Sequence, residues 1–252
     1  MSTLIHKRSS FLGYVKKRGV KMQRYIVASC KPWHQMRFDQ ISQAEPGMWT
    51  YVNSRSELES VTERGAPRYI FFLHWNWKLP TSFLSRYECV CFHMTDLPYG
   101  RGGSPLQNLI VNGRRETKVT AVQMVEELAA GPIYAKRSMG LAGRAEDLYQ
   151  RAGELSWEII RWMVREEPTP VPQKGEVVRF ERRKPFQSAL PNTGDMQKIY
   201  DHIRMLDAPT YPKAFIVQGD YRLEFDHAEL ASGEIRAQVV IKSNLGDSEE
   251  NE

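Results

Sequence analysis

The 252 residues are 41% hydrophobic and 26% charged, an ordinary globular balance and enough chain for one sizeable core plus a smaller second unit. No apolar run approaches the ~20 residues that cross a bilayer, and Cys30, Cys89 and Cys91 make neither an even disulfide set nor a zinc spacing, so a membrane span, a disulfide framework and a metal centre are not expected. The formal charge of +5 is concentrated in residues 1–21, which hold six basic residues and no acid; the rest has 29 basic and 30 acidic residues, a balance of −1 that argues against nucleic acid as a partner.

Residues 1–21 lack the apolar core and cleavage site of a secretory signal and read as a basic extension before Met22, which suits a cytoplasmic protein. Tyr25–Ser29 then reads as a buried strand, and Trp33–Ile41 as a short helix entered through Pro32. Trp49–Val52 is a short strand. Ser54–Glu63 is a helix with Ser54 as its cap and Glu57 three residues on. Arg68–Leu73 is almost wholly apolar, as a strand covered on both faces should be. A helix at Thr81–Arg86 leads to the strand Glu88–Phe92, and Ser104 is expected to cap a helix over Pro105–Val111. Strands at Thr117–Met124 and Ile133–Met139 and a long helix at Glu146–Val164 complete the alternation. It predicts an α/β, Rossmann-like domain over 22–165. Three prolines in Glu166–Lys174 mark a stiff linker, drawn at 166–175. A strand at Val177–Glu181, a helix at Asp195–Leu206 and β segments at Ala214–Val217, Tyr221–Phe225 and Ile235–Ile241 then predict a small C-terminal α+β domain over 176–245, and an acidic tail fills 246–252.

The chemistry is expected at the C-terminal tips of the strands, where open α/β sheets place ligands. There the strand ending at Phe92 delivers His93, a group able to move protons near neutral pH. Gly100-Arg101-Gly102-Gly103 follows, a loop able to offer backbone N–H groups to an anion at a helix start. Trp75 and Trp77, after the Phe72 strand, offer flat apolar walls. Gly131-Pro132 forces a turn that should bring Leu128-Ala129-Ala130 to the same rim as His93. There is no GxGxxG after the first strand and no Walker A, so dinucleotide and NTP readings lose their main support.

Taken together, His93, Leu97, Pro98, Arg101, Gly102, Thr117, Val119, Thr120, Leu128, Gly131, Pro132 and Ile133 match, in order and spacing, the folate-dependent formyltransferase pattern Asn-x-His-Pro-Ser-Leu-Leu-Pro-x-Tyr-Arg-Gly, Thr-Gly-Val-Thr, Leu-Asp-x-Gly-Pro-Ile. The chain resembles that family over most of 22–165. The run His93–Leu109 and the C-terminal Ile199–Ala208 and Tyr211–Phe215 look most like the nucleotide-sugar N-formyltransferases of pseudaminic-acid-type pathways. That resemblance implies formyl transfer from 10-formyltetrahydrofolate, without a metal, to the amine of a UDP-linked amino sugar, commonly by a homodimer. It implies a catalytic role for His93, a folate site at Trp75, Trp77, Lys78, Leu79, Glu127 and Leu128, and a sugar-nucleotide site at Arg101, Gly102, Gly103, Arg182, Arg183 and Ser188. Two positions depart from the pattern: Cys91 stands where the family has Asn, and Ala129 where it has Asp. A thiol is a poor amide substitute and a methyl moves no proton. Three readings follow: an inactivated variant, a site that uses Asp96 or Asn76 instead, or a non-catalytic relative that binds folate or sugar. The remaining alternative is formylation of methionyl-tRNA, which would lead us to expect a basic body and a larger C-terminal region.

Overall fold

The computed structural model describes residues 22–209 and 211–244; the basic extension and the acidic tail expected at the two ends lie outside them. In chain order the first elements are β1 (Arg24–Ala28), α1 (Trp33–Ala44), β2 (Met48–Val52), α2 (Arg55–Glu63), β3 (Tyr69–Phe72), α3 (Thr81–Arg86) and β4 (Cys89–His93). Then come β5 (Tyr99–Gly102), α4 (Pro105–Val111), β6 (Glu116–Gln123), β7 (Ile133–Gly140) and α5 (Ala145–Glu166). A six-stranded sheet has the order β2-β1-β3-β4-β6-β7, with the first four strands parallel and β6 and β7 antiparallel. This is the Rossmann-like α/β arrangement that the strand–helix alternation predicts.

The two sheet faces are separate apolar layers because side chains alternate along a strand. Tyr25, Val27, Tyr69, Phe71 and Val90 bury against α1, α4 and the apolar stripe of α5, which includes Leu148, Ala152, Trp157 and Ile160. Ile26, Ala28, Ile70, Phe72 and Cys89 face the other way, onto Leu58 of α2 and Phe83 and Leu84 of α3. Each fully buried side chain of this size contributes about 1.5–3 kcal/mol from burial, and the four residues of β3 are buried without exception. Glu57 N–H donates to the Ser54 hydroxyl at 3.3 Å, and the Glu57 carboxylate returns to Asn53 N–H at 2.9 Å, which starts α2 where expected.

Two local expectations are corrected. Ser104 does not cap α4: its φ is +46° and its hydroxyl accepts instead from Arg183 N–H at 3.0 Å. The loop 100–103 is not an open anion cradle, because most of it is β5, which pairs in parallel with β8 (Val178–Phe180). Gly103 N–H is already given to the Phe180 carbonyl at 3.1 Å. A Cβ on Gly102 would lie 2.0 Å from that carbonyl oxygen, and one on Gly103 2.5 Å from Arg182 Cβ, so these glycines serve close backbone approach.

Beyond the proline-rich segment lie β8, a short 3-10 turn at Pro185–Ser188, α6 (Met196–Arg204) capped by Asp195, and an antiparallel sheet of β9 (Ala214–Gln218), β10 (Tyr221–Ala231) and β11 (Glu234–Ser243). The apolar core does not break at the linker. Ile203, Met205, Leu206, Ala208, Ala214 and Ala228 join the cluster that holds Trp157. The buried Arg204 guanidinium donates to the carbonyls of Leu141 at 2.7 Å and Gly143 at 2.9 Å. No helix among the described residues is long and apolar enough to cross a membrane.

Candidate active site

Strand β4 ends on His93, opposite Thr120 of β6, with Cys91 opposite Val122. By alternation Cys89, Cys91 and His93 share one sheet face. His93 Nε2 lies 2.8 Å from the Gly100 carbonyl, which also accepts from Thr95 Oγ1 at 3.3 Å. A carbonyl only accepts, so Nε2 carries the proton and Nδ1 keeps its lone pair. Burial pulls the His93 pKa below the usual histidine value, with the Gly100 carbonyl opposing it. At neutral pH the ring is therefore uncharged, with Nδ1 able to take a proton.

Around this base the two substituted positions meet. Ala129, buried and at φ +56°, packs with Leu97 and Val122, and Cys91 and Ile133 join the same cluster. The rim loop thus reaches the His93 strand as expected, but it closes an apolar patch where the family pattern has two polar groups. Burial pushes the Cys91 thiol up to about 12, so it stays protonated, a weak S–H donor and no nucleophile.

The two substitutes considered for the missing polar groups are not supported. Asp96 turns away into ion pairs with Lys118, at 2.9 Å, and Lys136. Desolvation raises its pKa, but the two lysines outweigh that and hold the carboxyl below its usual value. A carboxylate paired in this way is a poor proton acceptor for a substrate. Asn76 is exposed.

Trp75 and Trp77 do form an apolar wall, with ring centroids 4.7 Å apart and near-perpendicular planes. Trp75 packs with Met124 and Cys91 against the α2–α3 layer, and its indole N–H is buried with no protein acceptor. That combination of ring faces and an unused donor fits a flat heteroaromatic ring system such as a pterin. Of the other residues expected there, Leu79 is buried in the core, while Lys78 and Leu128 are exposed. Glu127 is drawn off by arginines, with its pKa lowered first by the Arg179 hydrogen bond.

The residues expected to hold a sugar nucleotide are brought together only in part. Segments 101–104 and 180–183 lie side by side, and Asn108 Nδ2 ties them by donating to the carbonyls of Gly103 at 3.0 Å and Glu181 at 2.9 Å. Ser188 is buried, Arg182 exposed, and Arg183 Nη2 donates to the Gln187 carbonyl at 2.6 Å. Arg101 is not available as a phosphate fork. Its Nε and Nη2 donate to Gln173 Oε1 at 3.2 and 2.8 Å, and its Nη1 lies 3.5 Å from Glu127. The amide of Gln173 in turn donates to the carbonyls of Ala129 at 2.8 Å and Gly131 at 2.7 Å. Gln173 is therefore the brace of the rim loop. Sequence reasoning missed it because one glutamine in a proline-rich stretch carries no pattern.

Comparison with known proteins agrees with this architecture. Residues 185–242 match the family model described as "Methionyl-tRNA formyltransferase, C-terminal domain". A methionyl-tRNA formyltransferase of Streptococcus pyogenes is 28% identical over 201 residues, covering 76% of this chain and 64% of the relative; the chain thus spans just under two thirds of such curated relatives. The structure "Methionyl-tRNA formyltransferase from Clostridium thermocellum" is 40% identical, with a TM-score of 0.85, covering 88% of this chain and all of that one. Two more distant structures share the fold. HypX from Aquifex aeolicus in complex with tetrahydrofolic acid has a TM-score of 0.68 at 18% identity over 84% of this chain and 40% of that one. A 4-N formyltransferase from Francisella tularensis has 0.66 at 15% identity over 86% and 96%. The more similar relatives thus carry the methionyl-tRNA name, the alternative branch, and the sugar enzymes stand further off.

Proposed function

This chain belongs to the formyltransferase family, and from that membership we propose that it transfers a formyl group from 10-formyltetrahydrofolate to a primary amine, with methionyl-tRNA the first acceptor to test. The observation that carries the reading is His93: a neutral imidazole at the tip of β4, with its tautomer fixed by the Gly100 carbonyl, on the strand whose Cys91 packs against the same apolar layer as Trp75. The folate would supply the formyl carbon. The chain's own part is to hold the pterin against the indole faces, to exclude water, and to receive at His93 Nδ1 the proton that the amine loses on attack. The acceptor assignment is supported by the names of the more similar relatives.

A second acceptor, a nucleotide-linked amino sugar, is favoured by the run His93–Leu109 and by the body charge of −1. Either way the reaction should be slow. Cys91 and Ala129 remove an amide donor and a carboxylate, and a lost oxyanion donor alone costs about 10²–10³ in kcat. The test is incubation with formyl donor and, separately, methionyl-tRNA or a UDP-linked amino sugar, followed by mass spectrometry for an added formyl group. His93→Ala should keep folate binding and lose product. No product with either acceptor, or unchanged product with His93→Ala, overturns the reading.

A further inference from the structure

A cleft of about 440 Å³ opens beside the loop that follows His93, lined by residues including Asp96, Tyr99, Arg114, Arg115, Glu116 and Lys118. We propose that this cleft is a phosphate seat for the acceptor substrate, with Arg114 and Arg115 as its principal cations. This rests on the formyl-transfer reading for the identity of the acceptor.

The cleft combines surplus positive charge with a preorganised arginine. Asp96 is shared by Lys118 and Lys136, so one carboxylate neutralises only part of that pair. Arg114 has no carboxylate partner among the described residues; its guanidinium lies 4.8 Å over the Tyr99 ring and its Nε reaches the Tyr99 hydroxyl at 3.4 Å. These two contacts hold the guanidinium against Tyr99 through its Nε side and leave its terminal nitrogens to bind. Arg115 has one distant pairing, 3.9 Å to Asp201. Among the lining residues three cations, Arg114, Arg115 and Lys118, stand against two acids, Asp96 and Glu116, and Lys136 reaches the same Asp96 from outside the lining, so the concave site keeps a positive surplus. Planar guanidinium forks suit phosphate oxygens, and a group already held against Tyr99 loses less freedom on binding. A merely solvated charged face does not account for an arginine held against an aromatic wall by both a cation–π contact and a hydrogen bond.

Position gives the cleft its use. Tyr99 forms one wall, and the next residue, Gly100, holds His93 through its carbonyl. A phosphate held here is bound against the same short loop, 94–100, that holds the base, so remote binding can help orient the amine. The shared chemistry is phosphate oxyanion; the sources are an RNA backbone or a nucleotide diphosphate.

The test is equilibrium binding of the full chain to methionyl-tRNA and to UDP, comparing R114E/R115E with the parent and with R161E, which reverses an exposed arginine on α5. Arg114 and Arg115 are exposed, so the fold should survive, which the unfolding midpoint checks. The expected result is at least ten-fold weaker binding of one ligand in R114E/R115E, under two-fold in R161E, and unchanged tetrahydrofolate binding. If the source is RNA, the salt dependence of tRNA binding should also become shallower by roughly one unit per phosphate contact removed; if it is a nucleotide, UDP alone responds. Equal binding by R114E/R115E and the parent, a loss no greater than in R161E, or binding of neither ligand by the parent overturns the proposal. Selective loss of binding without formylated product from the parent leaves the seat standing and removes only the formyl-transfer reading.

Discussion

At residue scale the site is a histidine in good order among partners that have been stripped of their chemistry. His93 is oriented and neutral, yet Cys91 is locked as a thiol and Ala129 contributes only a methyl to the patch with Leu97 and Val122. The backbone at 129 still has the left-handed φ of +56° that Asp and Asn tolerate better than most side chains. Ala129→Asp should therefore fold, and its carboxyl, surrounded by apolar groups, should have a raised pKa suited to proton transfer. Single-turnover formylation should rise about 10²-fold or more, the scale of a positioned acid–base group. A rate unchanged by Ala129→Asp would mean that position 129 is not where the missing proton acceptor belongs.

At element scale the rim loop is held by a segment that looks in sequence like a mere connector. Gln173 links the Arg101 guanidinium to the carbonyls of Ala129 and Gly131, and Arg101 and Arg179 both reach Glu127. Gln173→Ala would take this partner from the Ala129 and Gly131 carbonyls and leave Arg101 only Glu127, at about 1–3 kcal/mol for each group left unpaired that water cannot reach. We expect faster amide hydrogen exchange in residues 124–132 and a raised KM for folate, while β1 and β3 exchange as before. Uniform loosening of the whole sheet instead would assign Gln173 to global stability rather than to the loop. The pairing of β5 with β8 belongs to the same scale: β8 is legible in the residues as a strand, whereas the four-residue β5 carries too little alternation to be read alone and is defined by its pairing with β8.

At the scale of the whole molecule, one observation predicts acid sensitivity. His34 Nε2 and His74 Nδ1 lie 2.9 Å apart, packed beside Trp33 and Tyr149. Burial lowers His34 to about 3 and His74 to about 4, the neighbouring histidine adding to the first and Lys31 to the second. The unfolded chain binds these protons from about pH 6.5 downward, the folded chain only near pH 4 and below, so stability is full above pH 6.5 and is lost as pH falls through that window. Counting the two as a coupled pair, the loss at pH 5 should be about 2–4 kcal/mol. Urea midpoints at pH 7 and pH 5 read it directly, and the double variant His34→Gln, His74→Gln should flatten the difference. An equal shift in that variant would assign the acid loss to other groups.

Much of this architecture is legible in the residues themselves. The wholly apolar β3, the spacing of buried positions along α5 and the Ser54 cap follow from short-range periodicity and local hydrogen bonding, which a linear chain displays openly. So does the candidate histidine, because a polar residue at the tip of an apolar strand stands out against its neighbours. The ordered match around His93 likewise carries the family, and the solved structure at 40% identity agrees with it.

Only the tertiary structure decides which side chains remain free to act. Arg101 and Asp96 are equally plausible ligands on paper, but Gln173 and Glu127 occupy the first and Lys118 and Lys136 the second, partners 26 to 72 and 22 to 40 residues away. Gly102 and Gly103 look like a phosphate loop until the Phe180 strand is laid against them. Hydrophobic periodicity is a property of neighbours along the chain, whereas the availability of a charge or an N–H depends on whatever the fold packs beside it.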